Sequence, residues 1–593
     1  MPAIRVRALP SRLVKLVEDL RRKEDRLSLL LSLLIGALVG LVVVAFILLT
    51  GRLAGLMFPP GGSGWRRVLI PVLGSLITGY LLFKYFPLAR GSGIPQTRAA
   101  LFIHDGRISL RSVAGKFVTT AIALASGIPL GREGPAVYIG GGIASTIARR
   151  LGLSRAQVRS LVPVGGAAAL SAAFNTPIAA VLFSLEEIVG EFHAPVLGSV
   201  VLASATAWMV LHLVLGDNPL FNVPGYHLVS PAELGAYVVL GIVGGLCSVA
   251  FVKLLLWLRG RFAKLPTASL WIQPVAGGLT VGIAGFFFPQ VLGVGYDQVE
   301  RVLNGDVVLK TVAILAVLKI ISSSVAYGSG NAGGVFAPTL FIGAMVGASV
   351  GAVAHTFFPE STAGPGAYAL VGMGTAFAGV IRAPLTSVIM IFEVTRDYTI
   401  IVPLMIANLI AFYISQRLQK KPIYEALAQQ DGLHLPTRAV PTPPRMLLVS
   451  AATREAPVAL NPEMTIAEAD EHVKDSMLES WPAADELGLV GMVRTRHVAA
   501  AVKQGRLDMT IERLMQIAKR SDADGAVDLP HVHNDQPLSR ALARMKDNGH
   551  KVLPVVSRAN GRIMLGIVTL ADILEAYGVE RAEELDYRDH PDL

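Results

Sequence analysis

The sequence predicts a mainly α-helical membrane protein built from two related halves, followed by an α/β domain outside the membrane. Its composition is apolar, since 52% of the 593 residues are hydrophobic and only 16% are charged, against about 25% charged in ordinary soluble proteins. Two long stretches also repeat each other, with glycine and proline interrupting apolar segments at matching places. Such repeats of broken helices place a binding site near the bilayer midplane, between the halves.

The longest apolar runs predict membrane-spanning helices. Residues 27–51 contain 25 consecutive residues without a charge, where about 20 suffice to span a bilayer. Residues 234–252 and 265–296 are similar runs. Residues 68–83 give only 16, and the pieces within 114–189 are cut by glycine and proline, so we expect several helices to be tilted, broken or re-entrant.

Basic residues concentrate beside the apolar region rather than within it. Those before the first run are Arg5, Arg7, Arg12, Lys15, Arg21, Arg22, Lys23 and Arg26. Arg417, Lys420 and Lys421 follow the last run, so the positive-inside rule predicts that both flanks are cytoplasmic, with an even number of full crossings. The net charge of +10 is therefore better explained by lipid headgroups than by nucleic acid. The first run lies too far from the start and is too long for a cleaved signal peptide.

The two halves match at a nearly constant spacing. At an offset of 203, Lys116, Gly131-Arg132-Glu133-Gly134-Pro135 and Ile139-Gly140 recur as Lys319, Gly334-Val335-Phe336-Ala337-Pro338 and Ile342-Gly343. At an offset of 207, Ala173 to Pro177 with Glu186 recurs as Val380 to Pro384 with Glu393. We expect the repeated Glu186 to be structural, at a helix end. For the two lysines, a positive potential near the site and an ordinary snorkelling or ion-pairing role both remain open.

Three glycine-rich turns that end in proline predict helix starts, at 91–95 (GSGIP), 131–135 (GREGP) and 333–338 (GGVFAP). Proline at the first helical position loses no hydrogen bond, and glycine lets the backbone approach a ligand. The free amides and positive dipole of a helix start form an anion site. Residues 126–129 (SGIP) echo the first turn, and we interpret them as a break in the preceding helix.

These three motifs, in this order and within a repeat, resemble the CLC family of chloride channels and chloride/proton antiporters. The resemblance covers residues 27–428. It implies about eighteen broken or tilted helices in two inverted repeats, at about 27–216 and 231–418, behind a cytoplasmic N-terminus of 1–26. It also implies a homodimer with one anion pathway per subunit, an inner-membrane location if the cell is bacterial, and cytoplasmic termini.

The resemblance assigns a chloride site to named groups. The Ser92 hydroxyl, the amides of Val335 and Phe336 and the Tyr424 phenol would contact the ion. The turn residues that complete this predicted anion-binding set are Gly93, Ile94, Arg132 and Gly134. Partial charges of this kind suit an ion that must leave again, whereas full cationic side chains would hold it too tightly. Ser92 favours chloride over nitrate and fluoride, again by resemblance.

Glu133 stands among amides that suit chloride, and it is itself an anion when ionised. We expect it to occupy the site when charged and to swing away when protonated, which would couple a proton to anion passage. The alternative is a glutamate that merely caps a helix. Glu187 lies on an apolar helix, where acids are expensive and usually functional, and it matches the position of a proton-accepting glutamate in family antiporters. Its alternative is a solvated acid at the cytoplasmic edge.

From about residue 419 the composition becomes polar. A linker at 429–445 leads to a domain at 446–593 that resembles a tandem pair of CBS domains. The second copy, about 525–580, predicts strands at 551–556 and 562–568 with a helix after each, and carries Thr569 and Asp572, which family members use to hold an adenosine ribose. The first copy is degenerate, so adenine nucleotide binding is in doubt, and a stabilising, dimerising module is favoured.

The sequence thus predicts a chloride/proton antiporter with Glu133 and Glu187 moving the protons, no chemical step, no catalytic residue, no metal and no required cofactor. A passive voltage- or pH-gated chloride channel of the same fold is the alternative. An intramembrane metalloprotease with a CBS tail would need a His-Glu-x-x-His helix, and none of the 12 histidines lies in one. A CBS-bearing cation transporter would need acids along its pore.

Overall fold

The computed structural model describes residues 24–190, 196–217, 220–221, 223–226, 228–306, 308–395, 399–433, 435, 447–474, 476, 478–521, 531–548 and 550–577. The chain divides into two compact units, residues 1–438 and 439–593. Most of the predicted basic N-terminus and much of the predicted linker lie outside the described residues.

The first unit is helical throughout its described part. Its first half contains α1 (Glu24–Met57), α2 (Arg66–Lys84), α3 (Ile94–Phe102), α4 (Leu110–Ala125), α5 (Glu133–Arg150), α6 (Arg155–Phe174), α7 (Pro177–Phe183) with a π-helical turn at Ser184–Val189, and α8 (Leu197–Leu215). The rest contains α9 (Glu233–Phe262), α10 (Pro274–Phe287), α11 (Tyr296–Leu303), α12 (Leu309–Gly328), α13 (Phe336–Phe357), α14 (Pro365–Val380), α15 (Pro384–Thr395), α16 (Ile401–Leu418) and α17 (Ile423–Gln430).

Seven helical segments in the described part of the chain are long and apolar enough to cross a membrane. Two expectations about spans were wrong. Residues 265–296 do not form one helix, because α10 begins at Pro274 and ends at Phe287 before Pro289, which leaves 14 residues. Residues 68–83 were judged too short, but α2 continues through Arg66 and Lys84 to 19 residues, since long basic side chains reach water from the ends of an apolar helix.

The same packing occurs in both halves. Helices α5 and α6 touch where a Cβ on Gly140 would lie 2.2 Å from the Gly165 carbonyl oxygen. Helices α13 and α14 touch in the same way, since a Cβ on Gly343 would lie 2.3 Å from the Gly372 carbonyl oxygen. Only glycine permits these backbones to approach so closely. The repeat read from the sequence is therefore a repeat of helix contacts.

The second unit contains two similar helix–hairpin–helix copies. Its elements are α18 (Ile466–Val473), β1 (Ser480–Asp485), β2 (Gly488–Arg494), α19 (Thr495–Lys503), α20 (Ile511–Ser521), α21 (Leu538–Asn548), β3 (Val552–Val556), β4 (Met564–Thr569) and α22 (Leu570–Ala576). Strands β1 and β2 pair antiparallel, as do β3 and β4. Each hairpin also pairs in parallel with one further extended residue. Leu460 pairs with Ala483 of β1, and Val532 pairs with Val555 of β3.

The predicted strands of the second copy are confirmed within one or two residues, but the expectation of a helix after each strand was wrong. Helix α21 precedes β3, and only β4 is followed directly by a helix. A turn at residues 557–563 joins the two strands as a hairpin, because Asn560 and Gly561 favour a turn there.

Candidate functional site

The two halves meet at a pair of equivalent glycines. Gly131 and Gly334, which are 203 residues apart, exchange two backbone hydrogen bonds of 2.7 Å each. Each glycine lies just before a helix, α5 or α13. The bridge is antiparallel, so the two helix starts are related by a local pseudo-twofold axis at this point.

The first glycine-rich turn reaches the same place. A Cβ on Gly93 would lie 2.2 Å from the Gly134 carbonyl oxygen, and a Cβ on Gly134 would lie 2.5 Å from the Ser92 carbonyl oxygen. Gly93 also has a φ of 107°, which side chains other than glycine rarely adopt. The starts of α3, α5 and α13 therefore converge, as the three motifs predicted.

Helix α5 begins at Glu133, α13 at Phe336 and α3 at Ile94, each within two residues of its proline. The prediction that each turn starts a helix is therefore confirmed. Helix α4 ends at Ala125, so residues 126–129 do break the helix, as interpreted. The backbone amides that begin these helices have no helical partner and carry the positive end of the dipole.

Two hydroxyls in this region are buried without a hydrogen bond to any described residue. Ser92 is 0% exposed and Tyr424 1% exposed, and neither Ser92 Oγ nor Tyr424 Oη has a partner within hydrogen-bonding geometry. Helix α17, which carries Tyr424, packs on α3, with Ala428 against Ala99. Buried polar groups normally have partners, so these two oxygens suit a ligand.

Phe336 and Val335 form the apolar side of the same region, and both are fully buried. The Phe336 ring lies 4.7 Å from the ring of Phe174 and 4.5 Å from that of Phe377, measured between centroids. These contacts come from α6 and α14, the second helices of the two repeated pairs. The aromatic packing fixes the start of α13 and the direction of its amides.

Glu133 is completely buried at the first position of α5. Its Oε1 accepts a hydrogen bond of 2.5 Å from the Tyr296 phenol. A Cβ on Gly131 would lie 2.3 Å from Glu133 Oε2 and 3.0 Å from the Ala337 amide nitrogen, so the carboxylate lies beside the start of α13. A carboxyl group therefore stands at the helix ends that suit an anion.

Glu187 is also completely buried, on the π-helical turn after α7. Its Oε1 lies 3.1 Å from Nη1 of Arg98, whose side chain is only 3% exposed. Arg98 belongs to α3, the helix that follows Ser92. Glu187 is thus a buried member of an ion pair rather than a solvated acid at an edge.

Glu186 and Glu393 cap helices in each other's half. The Glu393 carboxylate accepts hydrogen bonds from the amides of Ile178 and Ala179, at 2.9 and 2.7 Å. The Glu186 carboxylate accepts them from the amide and hydroxyl of Thr386, at 3.0 and 2.6 Å. The expectation of a structural, helix-end role for the repeated glutamate matches this geometry.

Lys116 and Lys319 are fully buried and support glycine turns from behind. Lys116 Nζ donates to the Gly91 carbonyl at 2.7 Å, just before Ser92. Lys319 Nζ donates to the carbonyls of Val291, Gly293 and Val294, at 3.1, 2.8 and 3.3 Å. Neither lysine side chain reaches water. Each one instead fixes, through hydrogen bonds to backbone carbonyls, the turn that precedes a helix.

A cavity of about 900 Å³ opens beside Glu133, at the C-terminal end of α1. Its charged lining residues are Arg66, Arg67, Arg132, Asp297 and Arg301. The excess of arginine gives this cavity a positive potential that attracts anions. Arg132 also donates to the Ala173 carbonyl at 3.2 Å, so one predicted site residue contributes to the wall of the cavity.

In the tail, Thr569 and Asp572 bond to each other. Thr569 Oγ1 donates to Asp572 Oδ2 at 2.6 Å, while the Asp572 amide donates back to Thr569 Oγ1 at 3.1 Å, which is a capping box for α22. Arg454 Nε lies 3.4 Å from Asp572 Oδ2. A smaller cavity of about 330 Å³ lies nearby and is lined in part by Arg454, Ser476 and Ile567.

Sequence reasoning missed Tyr296 and Arg98. A signal for Tyr296 exists, because Gly293 and Gly295 repeat Gly91 and Gly93 at an offset of 202, which places Tyr296 where the first half has Ile94. Arg98 offers no such signal, since its partner lies 89 residues away. No cluster of metal-ligating side chains occurs among the described residues.

The fold and this site define an integral membrane protein with two inverted, broken-helix repeats whose helix N-termini meet at its centre. The sequence profile described as "Voltage gated chloride channel" matches residues 74–416, and the profile "CBS domain" matches residues 525–579. The chain belongs to the voltage-gated chloride channel (CLC) family and carries a CBS domain. This confirms the resemblance seen in the motifs.

Individual relatives agree with this assignment. The chain is 31% identical over 421 residues to the H(+)/Cl(−) exchange transporter ClcA of Vibrio cholerae, covering 67% of this chain and 88% of the relative. It is 33% identical over 389 residues to a ClcB-like chloride channel protein of Ralstonia nicotianae, covering 64% and 89%. Among solved structures, a slow cyanobacterial Cl−/H+ antiporter matches with a TM-score of 0.63 and 26% identity over 68% of this chain and 97% of that one.

A eukaryotic CLC transporter matches over more of the chain, 94% of this chain and 98% of that one, with a TM-score of 0.60 and 21% identity. At this identity the likeness concerns the fold. Together with the CBS profile match, it supports a CLC membrane domain followed by a CBS domain in one polypeptide.

Proposed function

We propose that this chain is a chloride/proton antiporter of the CLC family, in which Glu133 is the gate. The observation that carries the proposal is the position of the Glu133 carboxylate. It is buried beside the amide of Ala337, at the convergence of three helix N-termini. A site that accepts this carboxylate suits a halide as well, because both are anions held by partial positive charges.

The mechanism follows from competition for these amides. Chloride enters through the arginine-lined cavity, which concentrates anions. When Glu133 is ionised it occupies the helix ends and excludes the ion. When it is protonated it loses its attraction for the amides and leaves room for chloride. One proton is thereby exchanged against anion movement.

The predicted chloride contacts fit this mechanism. We propose that the hydroxyls of Ser92 and Tyr424, which are buried without a partner, and the amides of Val335 and Phe336 contact the ion together. Gly93, Ile94, Arg132 and Gly134 contribute the backbone that brings these helix starts together. Ser92 and Tyr424 donate hydrogen bonds without a formal charge, so the ion is able to leave.

We further propose that Glu187 passes protons between Glu133 and the cytoplasm. Its complete burial supports this role, since an acid inside a membrane protein is costly and usually functional. Its partner Arg98 belongs to α3, the helix that follows Ser92, so an ion pair joins this acid to the helix that begins at the proposed chloride site. The pair with Arg98 keeps the carboxylate in a defined position.

Flux measurements in proteoliposomes test the proposal. Native protein should move protons against chloride, and a pH gradient should shift the voltage at which net current is zero. Glu133→Gln and Glu187→Ala should both lose proton movement and keep chloride flux. Glu233→Gln is a matched control, because Glu233 is 1% exposed and binds the Ala363 amide away from this site. If the reversal voltage did not change with the pH gradient, the protein would be a passive chloride channel instead.

The remaining assignments are also proposals. We infer a homodimer with both termini cytoplasmic, in the inner membrane if the cell is bacterial, with no required cofactor and no catalytic chemistry. The tail serves as a stabilising and dimerising module. The capping box of Thr569 and Asp572 supports this role, because the two side chains that would hold a ribose already bind each other. An added adenine nucleotide should therefore leave the thermal unfolding of the full-length protein unchanged.

A further inference from the structure

We propose that Tyr296 is a positioning residue that latches Glu133 in its blocking position by donating a hydrogen bond to the carboxylate. This inference deepens the proposed function and rests on Glu133 being the gate. The contact that motivates it is the 2.5 Å hydrogen bond from Tyr296 Oη to Glu133 Oε1, between residues 163 positions apart in the chain.

The backbone fixes where Tyr296 lies. Helix α11 begins at Tyr296, directly after Gly295, whose φ is 83°. Lys319 donates hydrogen bonds to three carbonyls of the turn that precedes Gly295. A Cβ on Gly295 would lie 2.7 Å from the Phe341 ring on α13. The turn therefore presents Tyr296 to the start of α5 with little freedom.

The Tyr296 ring is held from two sides. The Phe221 ring meets it edge-on at 5.5 Å between centroids, and the Arg132 guanidinium lies 5.5 Å above it. Arg132 directly precedes Glu133 in the chain. The Arg132 guanidinium therefore lies over the Tyr296 ring, while the Tyr296 hydroxyl bonds to the Glu133 carboxylate. The phenol thus has a fixed direction as well as a fixed place.

Tyr296 separates the gate from the arginine-lined cavity. Tyr296 lines that cavity, whereas Glu133 is completely buried and does not. Movement of Glu133 into the cavity therefore has to break or carry along the phenol contact. The equivalent position in the first half is Ile94, whose side chain has no hydrogen-bond donor. The first half therefore has no equivalent of this latch.

The latch responds to the charge of Glu133. A hydrogen bond to an ionised acceptor is roughly twice as strong as one to a neutral acceptor. The phenol therefore stabilises the ionised, blocking carboxylate and releases the protonated one. Without the phenol oxygen, the blocking position loses a stabilising contact and opens more often.

The test is chloride efflux from proteoliposomes at symmetric pH. Tyr296→Phe removes one oxygen and keeps the ring, and should raise the chloride flux by roughly tenfold, the usual effect of a hydrogen bond to a charged group. In the Glu133→Ala background the same substitution should change nothing, because no acceptor remains to be held. Tyr237→Phe is the matched control, since Tyr237 donates to Glu233 at 3.3 Å on α9, and should behave like the native protein.

An unchanged flux in Tyr296→Phe, while native protein exchanges chloride for protons, would overturn the latch and leave the proposed function standing. An equal increase with and without the Glu133 carboxylate would also overturn it, because the effect would then be general loosening. Absence of any chloride flux from native protein would instead overturn the proposed function. Tyr296→Leu provides a second variant with the same expected increase, and failure of both variants to fold would make Tyr296 structural and end the proposal.

Discussion

Arg98 and Glu187 form a buried ion pair that links α3, the helix starting at the predicted chloride site, to the π-helical turn after α7. Arg98 Nη1 and Glu187 Oε1 are 3.1 Å apart. Two charges taken out of water are costly unless they remain together. The ion pair therefore joins the proposed proton-transfer residue, Glu187, to the helix that begins at the predicted chloride site.

Removing one partner of this pair should destabilise the protein strongly. Arg98→Leu leaves the Glu187 carboxylate buried without its guanidinium, which typically costs about 3–5 kcal/mol. The double variant Arg98→Leu/Glu187→Leu should recover much of that stability, since an apolar pair needs no charge compensation. Thermal unfolding of the native protein, Arg98→Leu, Glu187→Leu and the double variant in one detergent measures this. Additive losses in the double variant would show that the two side chains act independently.

The reciprocal caps of Glu186 and Glu393 should contribute similarly to stability. Glu393→Ala exposes the amides of Ile178 and Ala179 without an acceptor, and loss of a helix cap costs about 0.5–2 kcal/mol. Glu186→Ala should show a loss of the same size, because it caps the equivalent helix. Glutamine at either position retains one acceptor oxygen and should restore part of the loss. Chemical unfolding reports these differences, and a much larger effect at one site would contradict the equivalence.

The glycine contacts of the two repeated helix pairs should tolerate no side chain. In Gly140→Ala a Cβ would meet the Gly165 carbonyl oxygen at 2.2 Å, so α5 must move away from α6 and carry Glu133 with it. We expect a large loss of chloride flux. Gly235→Ala on α9 is the control, because nothing lies within 4 Å of its Cβ position and alanine favours the helix by about 0.5–1 kcal/mol. Full flux in Gly140→Ala would contradict the proposed role of the contact.

The two unpartnered hydroxyls should set the chloride affinity. Ser92→Ala and Tyr424→Phe each remove one donor from an anion, which should raise the Kd for chloride by roughly tenfold. Calorimetric titration of detergent-solubilised protein measures the constant directly. Ser349→Ala serves as the control, since the Ser349 hydroxyl bonds the Met345 carbonyl within α13. An unchanged Kd in both site variants would exclude these hydroxyls as ligands.

Local signals explain why much of the site could be predicted from sequence. Proline within two residues of a helix start, and glycine before it, constrain the neighbouring backbone directly. The sequence could therefore predict where α3, α5 and α13 begin. The repeat added information about tertiary structure, because Glu186 and Glu393 occupy equivalent positions. Glu133 was predictable since it lies within one of these turns.

The missed features depend on contacts between distant segments. The Arg98–Glu187 pair exists only because α3 and the π-helical turn pack together. Tyr296 lies in a part of the repeat where the two halves differ, with Val294 in place of Ser92 and Tyr296 in place of Ile94. The run at 265–296 was misjudged because apolar composition alone does not show where Pro274 and Pro289 interrupt a helix.

The bridge between Gly131 and Gly334 places Glu133 and Phe336 at corresponding positions on either side of one axis. With identical residues at these two positions, the anion pathway would be symmetric about this axis at this point. An acid on one side of the axis and an aromatic ring on the other therefore make the two ends of the pathway chemically different at this point.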